Sequence, residues 1–359
     1  MPLSDPFAPG LLARLPASPR KVALLRASRI GDFICATPAF RALRQALPGA
    51  EITIITLPIL RDIAIRSPHL DRYVAFPGFP GIAEQFFDAR KTTQFFQIMQ
   101  EERYDLALQM QGSGVYSNPF LLLLGAKITA GFVRPGDAAG LLDAALPYPD
   151  QLHEIRCVLS LTSFIGTPEQ GEQIEFPLWR QDRTEAATLL ATAKPPLIGL
   201  HPAARELTRR WPIERFAAVG AALRSKYGGT VVIVGEPEER ATGEMVAQQV
   251  GEPYLNLVGK TSLVTLGAVI DRLAVLITND TGPAHIAYAL SAPTVTIFGA
   301  GNPATNGPLQ EGPFRVLAHP VACRPCGRET CPIGYTCLEG VTVEMVLNAA
   351  DKIIRLRAS

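Results

Sequence analysis

Short apolar stretches alternate with amphipathic stretches along most of the chain. Residues 21–27 and 51–57 have the apolar, β-branched character of buried strands, and residues 33–47 between them have the spacing of a helix. Thr37 and Pro38 are placed as the cap and first position of the main part of that helix. The strand–helix–strand order predicts a βαβ unit and therefore a parallel sheet.

The same alternation continues to the end of the chain. Further strands are predicted at 72–76, 105–111, 128–132, 197–201, 231–235, 255–258, 275–279 and 294–298. Helices are predicted at 86–102, 213–227, 238–250, 263–273, 284–290 and 342–357. The pattern predicts an α/β protein with two doubly wound, Rossmann-like domains that face a cleft lined by the carboxyl ends of both sheets.

A polar, Gly- and Pro-punctuated stretch at 166–183 marks the expected domain boundary. We predict an N-terminal lead over 1–20 and a first Rossmann-like domain over 21–170. The second Rossmann-like domain is expected over 180–340, followed by a C-terminal helix over 341–359.

Composition narrows the function classes. The chain has 359 residues, 47% of them apolar and 19% charged, with a net charge of +1. Such a balance argues against a nucleic-acid partner, since dedicated nucleic-acid binders are usually strongly basic. No apolar run approaches the ~20 residues of a membrane span, and the Pro-rich start has no secretory apolar core. We expect a soluble, cytoplasmic protein.

Charge is unevenly distributed along the chain. Residues 1–100 carry 12 Lys and Arg against 7 Asp and Glu, a balance of +5 that the remainder offsets with −4. This asymmetry fits an anionic partner or membrane surface at the N-terminal half, and it equally fits two ordinary solvated surfaces.

Three common motifs are absent. No G-x-G-x-x-G follows a strand, because Gly112-Ser113-Gly114 leads to Ser117 where the last glycine belongs. Gly259-Lys260-Thr261 resembles the end of a P-loop, but position 254 is tyrosine. A G-x-S-x-G elbow is also missing. These absences disfavour nicotinamide dehydrogenases, P-loop ATPases and α/β hydrolases.

The turn at 279–282 is the strongest candidate for ligand binding. It follows a buried strand, and Pro283 is placed to open a helix. Backbone N–H groups and the positive helix end would suit a phosphate or pyrophosphate, with His285 as a further donor. The alternative is that Asp280 or Thr281 merely caps the helix and His285 belongs to the core.

Two further strand ends carry charged side chains. Arg205, Arg209 and Arg210 occupy a loop after the strand at 197–201, where guanidinium groups could bind phosphates in bidentate fashion. A solvated basic loop is the alternative. Glu238 follows the next strand and could accept hydrogen bonds from ribose hydroxyls or simply favour a helix N-terminus.

The first strand-to-helix turn contains Arg29, Gly31 and Asp32. Gly31 permits a tight turn, and Asp32 is placed to face the cleft opposite the phosphate site. A carboxylate there is a plausible general base, although aspartate is also a common helix cap.

Five motifs occur together and in a fixed order. They are Ser28-Arg29-Ile30-Gly31-Asp32 with Thr37-Pro38, Arg210-Trp211-Pro212 followed by Phe216, Gly235-x-Pro237-x-Glu239, Gly259-Lys260-Thr261-Ser262-Leu263, and Asn279-Asp280-Thr281-Gly282-Pro283-x-His285. In this combination the chain resembles glycosyltransferase family 9, the lipopolysaccharide heptosyltransferases, over about residues 20–357.

The resemblance implies a GT-B fold with an acceptor-binding N-terminal domain and a nucleotide-sugar-binding C-terminal domain. It implies transfer of a heptose from ADP-heptose to the inner core of lipopolysaccharide, with inversion at the anomeric carbon, no metal and no required cofactor. Positive charge and helix ends would then stabilise the leaving diphosphate.

The resemblance also implies roles for particular residues. Asp32 matches the catalytic base, with Arg29 and Gly31 beside it on the acceptor side. The donor-binding residues would be Arg209, Glu238, Asp280, Thr281, Gly282 and His285. Among these, Arg209 falls near a lysine that some members use for the phosphates, and Glu238 falls where a carboxylate contacts the ribose.

Four of the six cysteines are crowded into one segment before the last helix, at Cys323, Cys326, Cys331 and Cys337. Their density is compatible with a metal site, but the spacing is irregular and the segment contains no histidine. We expect structural thiols or disulfide-capable pairs in preference to a metal centre. Some members of the resembled family have a similar loop.

The combined prediction is an inverting bacterial glycosyltransferase that uses an ADP-sugar and an anionic glycolipid acceptor. It would act in the cytoplasm, with peripheral contact at the cytoplasmic face of the inner membrane. Two alternatives stay open at this point: a nucleotide-sugar epimerase of the same architecture, and a nucleotide-sugar-binding protein without turnover.

Overall fold

The chain divides into two compact units between Ile174 and Glu175, here called unit 1 and unit 2. The structure is a computed structural model, and it describes residues 5–358. Each unit contains one six-stranded parallel sheet with helices packed on it. The predicted α/β class with two Rossmann-like units is therefore confirmed.

Unit 1 is built on strands β1 to β6. Their bounds are Lys21–Leu25, Glu51–Thr56, Arg72–Ala75, Leu106–Gln109, Ile128–Val133 and Ala144–Pro147. Helices α1 to α7 span Leu11–Arg14, Ile30–Cys35, Thr37–Ala46, Arg61–Arg66, Ala89–Glu101, Ser117–Leu123 and Glu154–Ile165, with a 3₁₀ turn at Pro58–Leu60.

Unit 2 is built on strands β7 to β12. Their bounds are Leu197–His201, Thr230–Ile233, Tyr254–Asn256, Val275–Asn279, Thr294–Phe298 and Phe314–Ala318. Helices α8 to α15 span Arg180–Leu189, Ile213–Tyr227, Arg240–Val250, Leu263–Ile270, Gly282–Ala289, Pro303–Asn306, Thr336–Glu339 and Val343–Ala358. Two 3₁₀ turns lie at Leu207–Arg209 and Pro237–Glu239.

Both sheets have the same topology. The strand order in unit 1 is β3-β2-β1-β4-β5-β6, and in unit 2 it is β9-β8-β7-β10-β11-β12 when read in the same direction. This is the Rossmann order. Successive strands are added in one direction as far as β3 or β9, and the next strand, β4 or β10, is added on the other side of β1 or β7. We call this change in the order of addition the reversal. Open α/β sheets bind ligands at the carboxyl ends of the strands beside this reversal, so each unit has one expected site.

The strands next to each reversal are buried on both faces. All five positions of β7 and of β10 are buried, and so are all four of β4. In unit 2 the core also contains Trp211, which packs edge-to-face on Phe216 with ring centroids 5.1 Å apart. Such burial immobilises the strands and thereby fixes the positions of the polar residues that follow them.

The single helix predicted over 33–47 is wrong in one respect, because the structure has two helices there. Helix α2 ends at Cys35 and α3 begins at Thr37. Pro38 cannot continue a helix from α2, since its ring would clash with the carbonyl of Ile34 and it has no N–H to donate. The Thr37 hydroxyl instead donates to that carbonyl at 2.8 Å. Because α2 begins at Ile30, Asp32 lies in the first turn of this helix.

Two strands were not predicted, β6 and β12, and both lie at sheet edges. Strand β6 ends on Pro147, which lacks an N–H and is tolerated in sheets mainly at edges. Edge strands bury only part of their surface, so their apolar pattern is short and weak. No helix among the described residues is both long and apolar enough to cross a membrane.

Candidate active site

The donor-side candidate is the turn that follows β10 in unit 2. Its first residue, Asn279, is fully buried. The Asn279 side chain accepts from the Trp211 N–H at 3.0 Å and donates to the carbonyls of Pro202 at 3.0 Å and Ala203 at 3.2 Å. One side chain thus ties the end of β10 to both ends of the loop after β7. The motif asparagine has a positioning role.

His201 lies at the centre of this strand-end network. It is the last residue of β7 and is 4% exposed. Its Nδ1 lies 3.2 Å from the Thr278 hydroxyl and 3.3 Å from the Thr281 hydroxyl, and its Nε2 lies 3.7 Å from Glu239 Oε2. The imidazole therefore connects β7, the Thr281 turn and the segment after β8.

Glu239, and not Glu238, is the carboxylate that contacts His201. Burial by itself raises the pKa of Glu239, but the nearby His201 imidazole and the Glu236 N–H outweigh it and lower the pKa below its usual value. The Glu239 side chain also accepts from the Glu236 N–H at 2.8 Å. Glu238 is exposed on the same 3₁₀ turn. Its ribose role stays a prediction.

Arg209 lies against the predicted pyrophosphate turn. Its Nη1 is 3.1 Å from Asp280 Oδ2 and 3.4 Å from the Asp280 carbonyl, and its Nε is 3.7 Å from Glu206 Oε2. Asp280 is 2% exposed, whereas the Arg209 side chain is 36% exposed. The guanidinium is held beside the turn by a buried carboxylate and keeps a solvent-accessible part.

The remaining predicted donor residues belong to helix α12. Thr281 is its N-cap, Gly282 its first residue, and Pro283 lies in the first turn. His285 is 8% exposed and its ring meets Tyr288 edge-to-face at 5.8 Å between centroids. The structure brings Arg209, Asp280, Thr281 and Gly282 together at the strand ends, and the N-terminus of α12 directs its N–H groups there.

The segment that imitates a P-loop is a structural turn. Gly259 has a φ of +69°, and a Cβ at this position would lie 2.9 Å from the Cα of Pro237. Its N–H donates to the Gly235 carbonyl at 2.9 Å. Ser262 then caps α11, accepting from the Thr265 N–H at 3.1 Å. Only glycine fits this close approach between the segments after β8 and β9.

The acceptor-side candidate lies at the carboxyl ends of β1 and β4 in unit 1. A cavity of about 660 Å³ opens there, and its wall includes Asp32, Ser28, Gln111, Glu154 and Tyr148. Asp32 Oδ2 also accepts from the Arg29 N–H at 3.3 Å. Asp32 thus has the cap-like contact that was the alternative interpretation and, in addition, borders a cavity. Its neighbours in the turn are Gly31, half-buried, and Arg29, exposed.

The buried Arg26 side chain holds the backbone of the Asp32 turn in place. It follows β1, is 3% exposed, and donates to the Asp32 carbonyl at 2.8 Å and to Glu154 Oε1 at 2.6 Å. Burial alone would lower the pKa of Arg26, but the charges of Glu154 and Asp32 raise it overall. The guanidinium stays charged and links the turn to helix α7. Burial and the Glu154 charge likewise raise the pKa of Tyr148.

The four clustered cysteines form a loop beside the donor turn. Their thiols are free, with Cys323 exposed, Cys337 buried and the other two half-buried. Cys326 donates its N–H to the Ala300 carbonyl at 3.1 Å, and Thr208 donates to the Arg328 carbonyl at 2.6 Å. Within residues 5–358 no group of three or more His, Cys, Asp or Glu side chains is arranged to hold a metal ion.

Backbone N–H groups and burial act differently on these thiols. Hydrogen bonds from the N–H groups of Ile333 and Tyr335 lower the pKa of Cys331. Burial raises the pKa of Cys337, and the neighbouring thiols add to that effect. A structural role for the four cysteines stays a prediction.

Several residues of both sites were missed by sequence reasoning, namely Arg26, Ser28, Gln111, His201 and Glu239. A common signal exists for three of them. Arg26, Gln111 and His201 are polar residues at or just after the end of an apolar strand, the pattern that drew attention to Asn279. Ser28 and Glu239 were part of the five motifs, but no role was predicted for them, and the carboxylate role was given to the neighbouring Glu238.

Comparison with known proteins identifies the family of this chain. A family model described as glycosyltransferase family 9 (heptosyltransferase) matches residues 92–336. Lipooligosaccharide heptosyltransferase 2 of Haemophilus influenzae is 31% identical over 307 residues, which cover 81% of this chain and 86% of that protein. The solved structure of E. coli ADP-heptose lps heptosyltransferase II has a TM-score of 0.77 at 20% identity, covering 94% of this chain and 100% of that one.

Not every match is of full length. Lipooligosaccharide heptosyltransferase 2 of Campylobacter jejuni is 27% identical over 163 residues, which are 44% of this chain and 51% of that protein. The chain therefore matches about half the length of this relative.

The two Rossmann-like sheets match the GT-B-like fold of that solved structure. The chain belongs to glycosyltransferase family 9. The resemblance based on five sequence motifs is confirmed, and the protein is a glycosyltransferase.

Proposed function

We propose that this enzyme transfers a heptose from ADP-heptose to the core of lipopolysaccharide or a similar glycolipid. The observation that carries the proposal is the pair of strand-end sites, the Thr281 turn with Arg209 held beside it in unit 2 and the Asp32 carboxylate in unit 1. The similar proteins include an E. coli ADP-heptose lps heptosyltransferase and a lipooligosaccharide heptosyltransferase, which supports the choice of donor and acceptor.

The reaction is an inverting displacement. An acceptor hydroxyl attacks the anomeric carbon, the bond from that carbon to the diphosphate oxygen breaks, and ADP leaves with the bonding electrons. Asp32 takes the hydroxyl proton as the new bond forms. Arg209, the Thr281–Gly282 turn and His285 compensate the charge of the leaving diphosphate, and Glu238 contacts the ribose.

The site chemistry fits a reaction without a cofactor. A guanidinium and the N-terminus of α12 can supply positive charge that a divalent cation supplies in other transferases. We therefore include in the proposal that neither a metal nor another cofactor is required. The donor nucleotide sugar is a substrate.

We place the reaction in the cytoplasm, at the inner face of the membrane that holds the glycolipid. The basic balance of residues 1–100 supports attraction of this part of the chain to an anionic surface. Cosedimentation with phosphatidylglycerol vesicles tests this part, and equal sedimentation with neutral vesicles would contradict it.

The decisive assay mixes purified protein, ADP-heptose and O-deacylated lipopolysaccharide that lacks inner-core heptose. We expect ADP release together with a mass increase of one heptose on the acceptor, unchanged by EDTA. Isomerised ADP-sugar without acceptor would indicate an epimerase, and donor binding without turnover would indicate a binding protein. Inhibition by EDTA that Mg²⁺ reverses would overturn the metal-free mechanism.

A further inference from the structure

Two buried side-chain oxygens near Asp32 have no hydrogen-bond partner among residues 5–358. They are Ser28 Oγ and Gln111 Oε1. Ser28 is only 6% exposed, and both residues border the cavity that Asp32 also borders. Other buried side-chain atoms of the described residues also have no partner, but among them only these two belong to residues that border this cavity. Because buried polar atoms in native proteins are nearly always paired, their shared position points to a bound molecule there.

The rest of Gln111 is firmly held. Its Nε2 donates to the Ala27 carbonyl at 3.0 Å, so the amide orientation is set by its contacts. The Gln111 carbonyl accepts from Gln109 Nε2 at 2.6 Å and from the Ser117 hydroxyl at 2.8 Å. Gln109 itself is fully buried. The network fixes Gln111 and leaves Oε1 as an oriented hydrogen-bond acceptor.

The two oxygens belong to neighbouring strand ends. Ser28 follows β1 and Gln111 follows β4, and these strands pair in parallel with Leu25 opposite Gln109. This is the point where the sheet of unit 1 reverses its order. Ligands of open α/β sheets bind at such a point.

The chemistry of the cavity favours hydroxyl groups over anions. Gln111 Oε1 can only accept a hydrogen bond, and a carboxylate or phosphate has no hydrogen to offer it. The wall contains the acidic residues Asp32, Glu84 and Glu154 against the basic residues Arg26 and Arg134. A neutral polyhydroxylated group can donate to Gln111 and either donate to or accept from Ser28.

We infer that Ser28 and Gln111 form a hydroxyl-binding subsite that orients the acceptor sugar in front of Asp32. The inference rests on the proposed function and deepens it by naming two residues that select the acceptor. Bonds to neighbouring hydroxyls of the same ring would fix which hydroxyl reaches the Asp32 carboxylate. Ser28 and Gln111 thereby determine acceptor specificity.

Ser28→Ala gives a test in which a structural role and a binding role predict opposite results. Removing a buried hydroxyl that has no protein partner should leave Tm unchanged or raise it. The KM for O-deacylated, heptose-deficient lipopolysaccharide should rise about tenfold, the value of one lost hydrogen bond, with the KM for ADP-heptose unchanged. A lower Tm with an unchanged acceptor KM would overturn the inference for Ser28.

Gln111→Leu has a matched control in Gln100→Leu. Gln100 also lies in unit 1, and its Nε2 donates to the Leu123 carbonyl at 2.9 Å, much as Gln111 donates to Ala27. Both variants lose one side-chain-to-backbone hydrogen bond, exposed at Gln100 and part-buried at Gln111, so the acceptor KM and not Tm is the quantity compared. Only Gln111→Leu should raise the acceptor KM, by about tenfold or more. Equal acceptor KM values in the two variants would refute the subsite.

The wild-type protein separates this inference from the proposed function. If wild type transfers heptose and both variants keep the wild-type acceptor KM, the subsite is wrong and the function stands. If wild type transfers none, the function is wrong, and calorimetric titration with the same deacylated acceptor still tests the subsite. Weaker binding by Ser28→Ala and Gln111→Leu than by wild type supports it, and equal binding refutes it.

Discussion

The two strand-reversal sites of this glycosyltransferase share a topology and differ in how fully their polar groups are paired. In unit 2, Asn279 alone makes three hydrogen bonds to the loop after β7, and His201 contacts two threonine hydroxyls. In unit 1, Ser28 and Gln111 border a cavity, and the buried Ser28 Oγ and Gln111 Oε1 have no partner among the described residues. The side chains that shape the unit 2 turn are paired with one another, and two side-chain oxygens of unit 1 are not paired with any described residue.

This difference matches the proposed ligands. A diphosphate binds mainly to charge and to backbone N–H groups, so the side chains around it can be paired with one another and hold the turn rigid. A sugar acceptor must be recognised through hydroxyl groups, and these need side-chain atoms with unused capacity. The same Rossmann order therefore supports two kinds of site, which depend on the residues after each strand.

The largest expected effect concerns Asp32. Asp32→Asn keeps the size and the contact with the Arg29 N–H but cannot accept a proton, so single-turnover transfer should fall by ~10²–10⁴. Donor affinity, measured by calorimetry with ADP, should stay nearly constant. This outcome would assign chemistry to unit 1 and binding of ADP to unit 2.

Asp88→Asn is the control for a pure cap. Asp88 caps α5 and accepts from the N–H groups of Arg90 at 3.0 Å and Lys91 at 3.1 Å. It should lose at most about 1 kcal/mol of stability and retain turnover. If Asp32→Asn behaves like Asp88→Asn, with near wild-type transfer, Asp32 is not the base.

The second prediction tests whether the unit 2 network is structural. Asn279→Ala leaves the Trp211 N–H and two carbonyls buried without their partner, and the free energy of unfolding should fall by about 3 kcal/mol. Asn302→Ala is the control, since the Asn302 side chain caps α13 by accepting from the Ala304 N–H at 3.0 Å and its loss should cost about 1 kcal/mol. Chemical denaturation measures both. Similar small losses would show that Asn279 does not clamp the loop.

The third prediction concerns charge at the donor turn. Arg209→Ala removes a charge-assisted contact, and ADP affinity should fall about 10- to 150-fold, equivalent to roughly 1.5–3 kcal/mol. Arg215→Ala is the control, because Arg215 contacts Glu339 and the Val341 carbonyl and no residue of the donor turn. Calorimetric titration with ADP gives both values. Unchanged affinity in Arg209→Ala would move the role to Arg205 or Arg210.

The smallest effect concerns acid sensitivity in unit 1. Hydrogen bonds from Arg72 and then Lys21 lower the pKa of Glu102 to about 2. Because the folded pKa is below the unfolded one, this stabilisation is present above about pH 4.5 and is lost as the pH falls towards 2. Glu102→Gln should lower stability by roughly 1 kcal/mol at pH 7, since both cations are partly exposed, and by almost nothing near pH 2.

Denaturant titrations at both pH values measure this difference. Glu101→Gln, exposed beside it at the end of α5, is the control and should change little at either pH. A destabilisation by Glu102→Gln of equal size at pH 7 and pH 2 would show that the ion pairs do not cause it.

Local pattern determined most of the strands and the ends of several of them. Strands β7, β10 and β11 and helix α9 have the predicted bounds, because a long apolar run or a clear helical period leaves one local solution. The motif residues Asp32, Asp280 and Thr281 were found for the same reason, as polar residues that end a buried strand or open the next helix. Two Rossmann-like units follow from the repeated alternation.

Tertiary structure decided which of these residues meet. Arg26 reaches Glu154, which is 128 positions away, and Arg209 reaches Asp280, 71 positions away. Gln111 is oriented by Ala27 across 84 positions. Such pairs depend on the order of strands in the sheet, which places β1 beside β4 and β7 beside β10. That strand order arises from packing of the whole unit. A local stretch of sequence contains only one of the two partners, so it cannot show which side chains lie close together in space.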